Sequence, residues 1–75
     1  MKIKIKLYGH LYWYTDKKKE MEIQARQKSI ESILNELNIP VGEIAMVTIN
    51  KNKAELNALP QAGDLVEVYP VIGGG

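Results

Sequence analysis

Cysteine is absent from the 75 residues, histidine occurs once, and ten Lys or Arg residues are offset by nine Asp or Glu. Each shortage closes off a class of function. Without cysteine there is no disulfide, no thiolate nucleophile and no persulfide site, and a lone histidine does not make a zinc site. Neither a metal nor a bound cofactor is expected, and any sulfur the chain handles must be held by something other than a thiol. A net charge of +1 is too small to hold a polyanion through counterion release, which argues against nucleic acid as a partner. No apolar run approaches the length of a membrane span. The opening Met1-Lys2-Ile3-Lys4-Ile5-Lys6-Leu7 alternates lysine with apolar residues where a signal peptide needs a continuous apolar core. No membrane partner and a cytoplasmic location are therefore expected.

What is present matches a small folded domain. Apolar residues make up 45% and charged residues 25% of the chain, close to a soluble globular average. A chain this short hides only ~60% of its unfolded surface, so its core is modest and leaves no room for a deep active site. Ile3, Ile5 and Leu7 against Lys2, Lys4 and Lys6 have the period of two of a half-buried strand. After the polar tip Thr15-Asp16-Lys17-Lys18-Lys19, Met21 and Ile23 alternate with Glu20, Glu22 and Gln24 in a second strand. Ser29 caps a helix over residues 29–38, in which Ile30, Ile33, Leu34 and Leu37 form one apolar stripe, and Pro40 is expected to stop it. A helix of that length must dock on a sheet to be stable in water.

Met46-Val47-Thr48-Ile49-Asn50 reads as a third strand entering a turn at Asn50-Lys51-Asn52-Lys53. Residues 56–60 form a short strand or an irregular crossing. After the turn Ala62-Gly63-Asp64, Leu65 to Tyr69 is the last strand, ended by Pro70. The order strand, strand, helix, strand, weak strand, strand predicts a two-layer α+β domain with one helix across a sheet. Val66 and Val68 are expected to face that helix with Ile3, Ile5 and Leu7. This order permits the first and last strands to lie side by side.

The end of the chain, Gly63-Asp64, Val66, Tyr69-Pro70 and Gly73-Gly74-Gly75, resembles the MoaD/ThiS family of ubiquitin-like sulfur carriers. The helix Ser29 to Leu37 and the strand Val47-Thr48-Ile49-Asn50 extend that resemblance over the whole chain. It implies a β-grasp fold with a mixed sheet of four to five strands over residues 1–70, and a flexible tail over 71–75. It also implies a reaction sequence run by partners. An adenylyltransferase of the ubiquitin-activating type joins AMP to the carboxylate of Gly75, and a sulfur donor converts the acyl adenylate to a thiocarboxylate. A synthase, of the molybdopterin synthase large-subunit or the thiazole synthase type, then takes the sulfur. The carrier itself is not an enzyme. A single Pro70 followed by Val71-Ile72 is nearer to the thiamine type than to the molybdopterin type, whose members often have two prolines, so the pathway stays open. Gly73 stands where alanine is common and keeps a small residue before the last two glycines.

The tail also has a physical rationale. A free carboxylate is a poor electrophile and needs activation in a closed site, which a thin tail can enter. Gly73 to Gly75 have no side chains and admit close backbone approach. From Pro70 onward the chain can extend ~20 Å at ~3.3 Å per residue. The competing interpretation is an inert frayed end. Leu65 and Tyr69 share a strand face with Glu67, opposite Val66 and Val68, and are expected to form an exposed apolar patch. With Ile72 they are the candidate partner-binding residues. His10 has no neighbouring nucleophile and is assigned no catalytic role. Tyr12, Trp13 and Tyr14 are expected to cover the edge of the core beside the lysine tip rather than to stack bases. A ubiquitin-like protein modifier, joined to a lysine through the same Gly75, and a non-covalent binding module are the alternatives.

Overall fold

The computed structural model describes residues 1–72. Five strands form one sheet in the order β2-β1-β5-β3-β4, with β1 at Lys2–Leu7, β2 at Glu20–Gln24, β3 at Ile44–Ile49, β4 at Asn52–Ala54 and β5 at Leu65–Pro70. The first and last strands do lie side by side, and they run parallel, with Ile5 opposite Val66 and Leu7 opposite Val68. The other pairs are antiparallel. Ile3, Ile5 and Leu7 of β1, Val66 and Val68 of β5, and Val47 of β3 turn to the face covered by the helix α1, Ile30–Glu36. Helix residues Ile30, Ile33 and Leu34 meet them there, all at 3% exposure or less.

Ser29 caps α1 as expected, its hydroxyl oxygen accepting from the Ser32 N–H at 3.1 Å. The helix ends earlier than the apolar stripe suggests. Leu37 closes it and Asn38 turns left-handed (φ 62°), so the chain has already left the helix two residues before Pro40. Asparagine tolerates that conformation, and the turn carries Ile39 into the core at 1% exposure.

The turn after β3 is tighter than the sequence suggests. Asn50 (φ 51°) and Lys51 (φ 72°) alone make it, because two successive left-handed residues match the twist of a hairpin. Asn52 and Lys53 therefore belong to β4, and residues 56–60 cross without strand pairing. Asn50 also ties two distant turns. Its side-chain oxygen accepts from Leu65 N–H and its amide donates to Asp64, each at 2.9 Å. The Asn50 and Gly63-Asp64 motifs thus act as one brace that sets the register of β5 beside β3.

Candidate functional site

The last described residues leave the domain at the end of β5. Tyr69 and Pro70 are half-buried, Val71 is 48% exposed and Ile72 is 88% exposed. Gly73, Gly74 and Gly75, including the carboxylate on which the expected chemistry depends, lie outside the described residues. The exit is closely surrounded. Val71 N–H donates to the Glu43 carbonyl at 2.9 Å. Gly9, left-handed at φ 63°, packs so tightly that a Cβ there would sit 2.5 Å from Pro70 Cγ. The Tyr8 and Tyr69 rings stack at 4.6 Å and 4°.

Upstream of the exit, the face of β5 away from the helix is polar at its centre. Leu65 and Tyr69 share it with Glu67, but they do not form the exposed apolar patch expected of them. Both are half-buried, and Glu67 between them is fully buried. Tyr8 and Lys51 provide the cover. The Tyr8 hydroxyl donates to one Glu67 oxygen, and Lys51 Nζ lies 3.0 Å from the other. Tyr8 continues the series Lys2, Lys4, Lys6 onto the same face as Tyr69, so period two contained that signal. Lys51 reaches in from the β3–β4 turn, and local sequence spacing does not reveal it.

Tyr8 first and Lys51 second hold the Glu67 carboxyl below its ordinary range, outweighing the opposing effect of burial. The same bond pushes Tyr8 up to about 12. Glu67 is hidden from water, yet its cover is one layer of side chains, one of which, Lys51, is 73% exposed. That thinness explains why partners outweigh desolvation. A carboxylate held ionised in this way is not poised as a general base near neutral pH.

Leu65 and Tyr69 stand at opposite ends of this face, four residues or about 13 Å apart. Only Tyr69, with Met46 opposite it at 38% exposure, adjoins Val71 and Ile72. His10 is exposed, with Nε2 2.6 Å from a Glu43 oxygen, while the Tyr14 hydroxyl donates to the other. These side chains ride on a 3₁₀ helix, Gly9–Thr15, that buries Leu11. The aromatic run covers the core only in part, because Trp13 is 59% exposed and stacks on Tyr12 beneath Lys17. Among the described residues no three His, Asp or Glu side chains converge as a metal cluster, and no helix is long and apolar enough to cross a membrane.

Comparison with known proteins gives the family and the fold. A family model described as Mut7-C ubiquitin matches residues 1–73. SAMP1 of Haloferax volcanii superposes with a TM-score of 0.73 at 16% identity, each chain covered in full. Molybdopterin-converting factor of Helicobacter pylori, solved as a complex of its subunits 1 and 2, matches at 0.66 and 22% identity, again over the whole of both chains. The H. volcanii protein HVO 2177 matches at 0.76 and 17% identity, over all of this chain and 87% of the other. No curated protein matches the sequence. The ubiquitin-like β-grasp fold implied by the strand and turn motifs is borne out, and the neighbours include the molybdopterin branch of the resemblance.

Proposed function

The chain belongs to the Mut7-C ubiquitin family, and from that premise we propose that it is a ubiquitin-like sulfur carrier reacting through the carboxylate of Gly75. The observation that carries the proposal is the run-out of the domain. A β-grasp sheet ends its central strand at Tyr69–Pro70, passes through exposed Val71 and Ile72, and continues in sequence as Gly73-Gly74-Gly75.

In this reading the Gly75 carboxylate attacks ATP on an adenylyltransferase of the ubiquitin-activating type, forming the acyl adenylate and releasing pyrophosphate. A donor of sulfide-level sulfur attacks the acyl carbon, forming a C–S bond as the C–O bond to AMP breaks, and leaves a thiocarboxylate. A synthase then takes the sulfur for cofactor biosynthesis, and water supplies the oxygen that returns the carboxylate. The complex with subunit 2 in H. pylori favours a molybdopterin-type acceptor, and Val71-Ile72 after a single Pro70 favours a thiamine-type one. Tyr69 and Ile72 are the docking residues nearest the exit, with Leu65 at the far end of the same face. A cytoplasmic setting, where such cofactors are made, belongs to the proposal. The chain is a protein substrate in this scheme and not an enzyme.

A modifier role shares the first step and ends as an amide on a lysine. The superposition on SAMP1, a small archaeal modifier protein, favours keeping it as the second reading. Intact-mass measurement separates the two. With an adenylyltransferase proven on its own carrier, ATP and a sulfur donor, the carrier exchanges one terminal oxygen for sulfur, whereas a modifier appears on lysines of another protein. Deleting Gly75 is expected to abolish either product while leaving the melting curve almost unchanged. Sulfur transfer by the truncated chain would refute the proposal, since no cysteine exists to hold the atom.

A further inference from the structure

The contacts around the chain exit close into a ring. Gly9 abuts Pro70, and Val71 N–H is held by the Glu43 carbonyl. The Glu43 carboxylate is held by His10 and Tyr14, which return along one 3₁₀ helix to Gly9. Glu43 ends a second 3₁₀ helix, Val41–Glu43, a three-residue element with no side-chain cap and no buried residue. It runs directly into β3, where Ile44 pairs with Pro70, so the grip on the half-buried Glu43 carboxylate adds a side-chain hold to the backbone pairing beside it. His10 and Tyr14 lie four residues apart, and between them they take both oxygens of that carboxylate. That leaves the carbonyl of the same residue facing Val71. The next residue, Ile72, is 88% exposed.

We propose that Glu43 is a positioning residue for the reactive tail: its carboxylate, latched by His10 and Tyr14, fixes the carbonyl that holds Val71, so the chain leaves the domain in one set direction. The inference rests on the carrier reading for its purpose but on the ring of contacts for its geometry. A tail entering a partner's closed cleft must be extended and aimed, and any residue not already ordered is ordered at the expense of affinity. Freeing one backbone residue weakens productive docking by about tenfold. The latch places that loss outside the reaction, in the folding of the carrier.

Two readouts test it, amide exchange at Val71 and the split of kcat from KM in ATP–pyrophosphate exchange with the adenylyltransferase. Glu43→Ala is expected to speed Val71 exchange and to raise KM for the carrier, each by about tenfold, with kcat unchanged. Glu43→Gln, which keeps an oxygen for the Tyr14 hydroxyl, restores most of both. A role confined to stability would lower the melting point without this split and without rescue. Unchanged Val71 exchange in Glu43→Ala overturns the latch, and faster exchange at unchanged KM overturns its part in the reaction. Should Glu43→Ala loosen the core amides of β1 and β5 as well, His10→Ala combined with Tyr14→Phe decides by the same readouts, since both residues are exposed. If no adenylyltransferase activates even the wild-type chain, the carrier reading fails, and Val71 exchange still decides the latch.

Discussion

On the helix-covered face of the sheet, Ile3, Ile5, Val66, Val68 and Val47 meet Ile30, Ile33 and Leu34 with no ionisable group among them. On the opposite face a fully buried carboxylate, Glu67, sits mid-sheet and is closed over by a tyrosine and a lysine. The dry face is held by burial, which is insensitive to pH and spread over many contacts. The polar face is held by a few groups whose state depends on protons, and the thinness of its cover keeps those groups near water. This small domain thus keeps its stability on one face and its proton-responsive groups on the other. The β5 strand serves both faces at once, alternating valine inward with Leu65, Glu67 and Tyr69 outward.

The largest effect is expected from a cut into the dry face. Leu34→Ala, at a fully buried position, is expected to cost about 2–5 kcal/mol, a large part of the stability of so small a domain. Because the buried cluster it belongs to is apolar, the loss is expected to be uniform, lowering stability by the same amount at every pH in denaturant melts. A smaller effect belongs to the seat of the helix on that face. Ser29→Ala removes the acceptor for Ser32 N–H and is expected to cost about 1 kcal/mol, again without pH dependence. A null result for Leu34→Ala would remove the core assignment. A null result for Ser29→Ala would mean that tertiary packing alone seats the helix.

The two faces also differ in how well the sequence discloses them. Period two in β1 and β5 and the helical stripe from Ile30 to Leu34 reveal the dry face almost completely, because its membership depends on local alternation. The helix end was harder to read, since Asn38 turns the chain before Pro40 has any role. On the polar face, alternation correctly places Leu65, Glu67 and Tyr69 together and then misleads about exposure. Covering Glu67 needs Tyr8, 59 residues away, and Lys51, brought across by a two-residue hairpin turn. The exit latch is harder still, because His10, Tyr14 and Glu43 share no periodic element. The family resemblance places Val71 and Ile72 in the tail, whereas what grips Val71 is not legible in the sequence.

The last and smallest effect concerns the limbs of the pH profile. Glu67 binds its proton less readily in the folded chain than its ordinary value of 4.5 implies, with Tyr8 the larger cause and Lys51 the next. A lowered folded value means that its stabilisation is complete above the ordinary range and is lost as pH falls through the folded value. Tyr8 runs the other way. Raised from 10.0 to about 12, it stabilises fully below pH 10 and loses that contribution as pH climbs toward 12. Lys51→Ala therefore moves the acid limb to higher pH and lowers the neutral plateau correspondingly, both modestly, because Lys51 is the smaller cause and is itself largely exposed. Tyr8→Phe moves the acid limb further and removes most of the loss between pH 10 and 12, the remainder belonging to Tyr14 and Lys51, whose values are also raised. Glu43, lowered by Tyr14 and His10, keeps a residual acid limb in both variants. Melts across pH for Leu34→Ala, Lys51→Ala and Tyr8→Phe read this directly. Shifted limbs in Leu34→Ala, or unshifted limbs in Tyr8→Phe, would show that the two faces are not held by different forces.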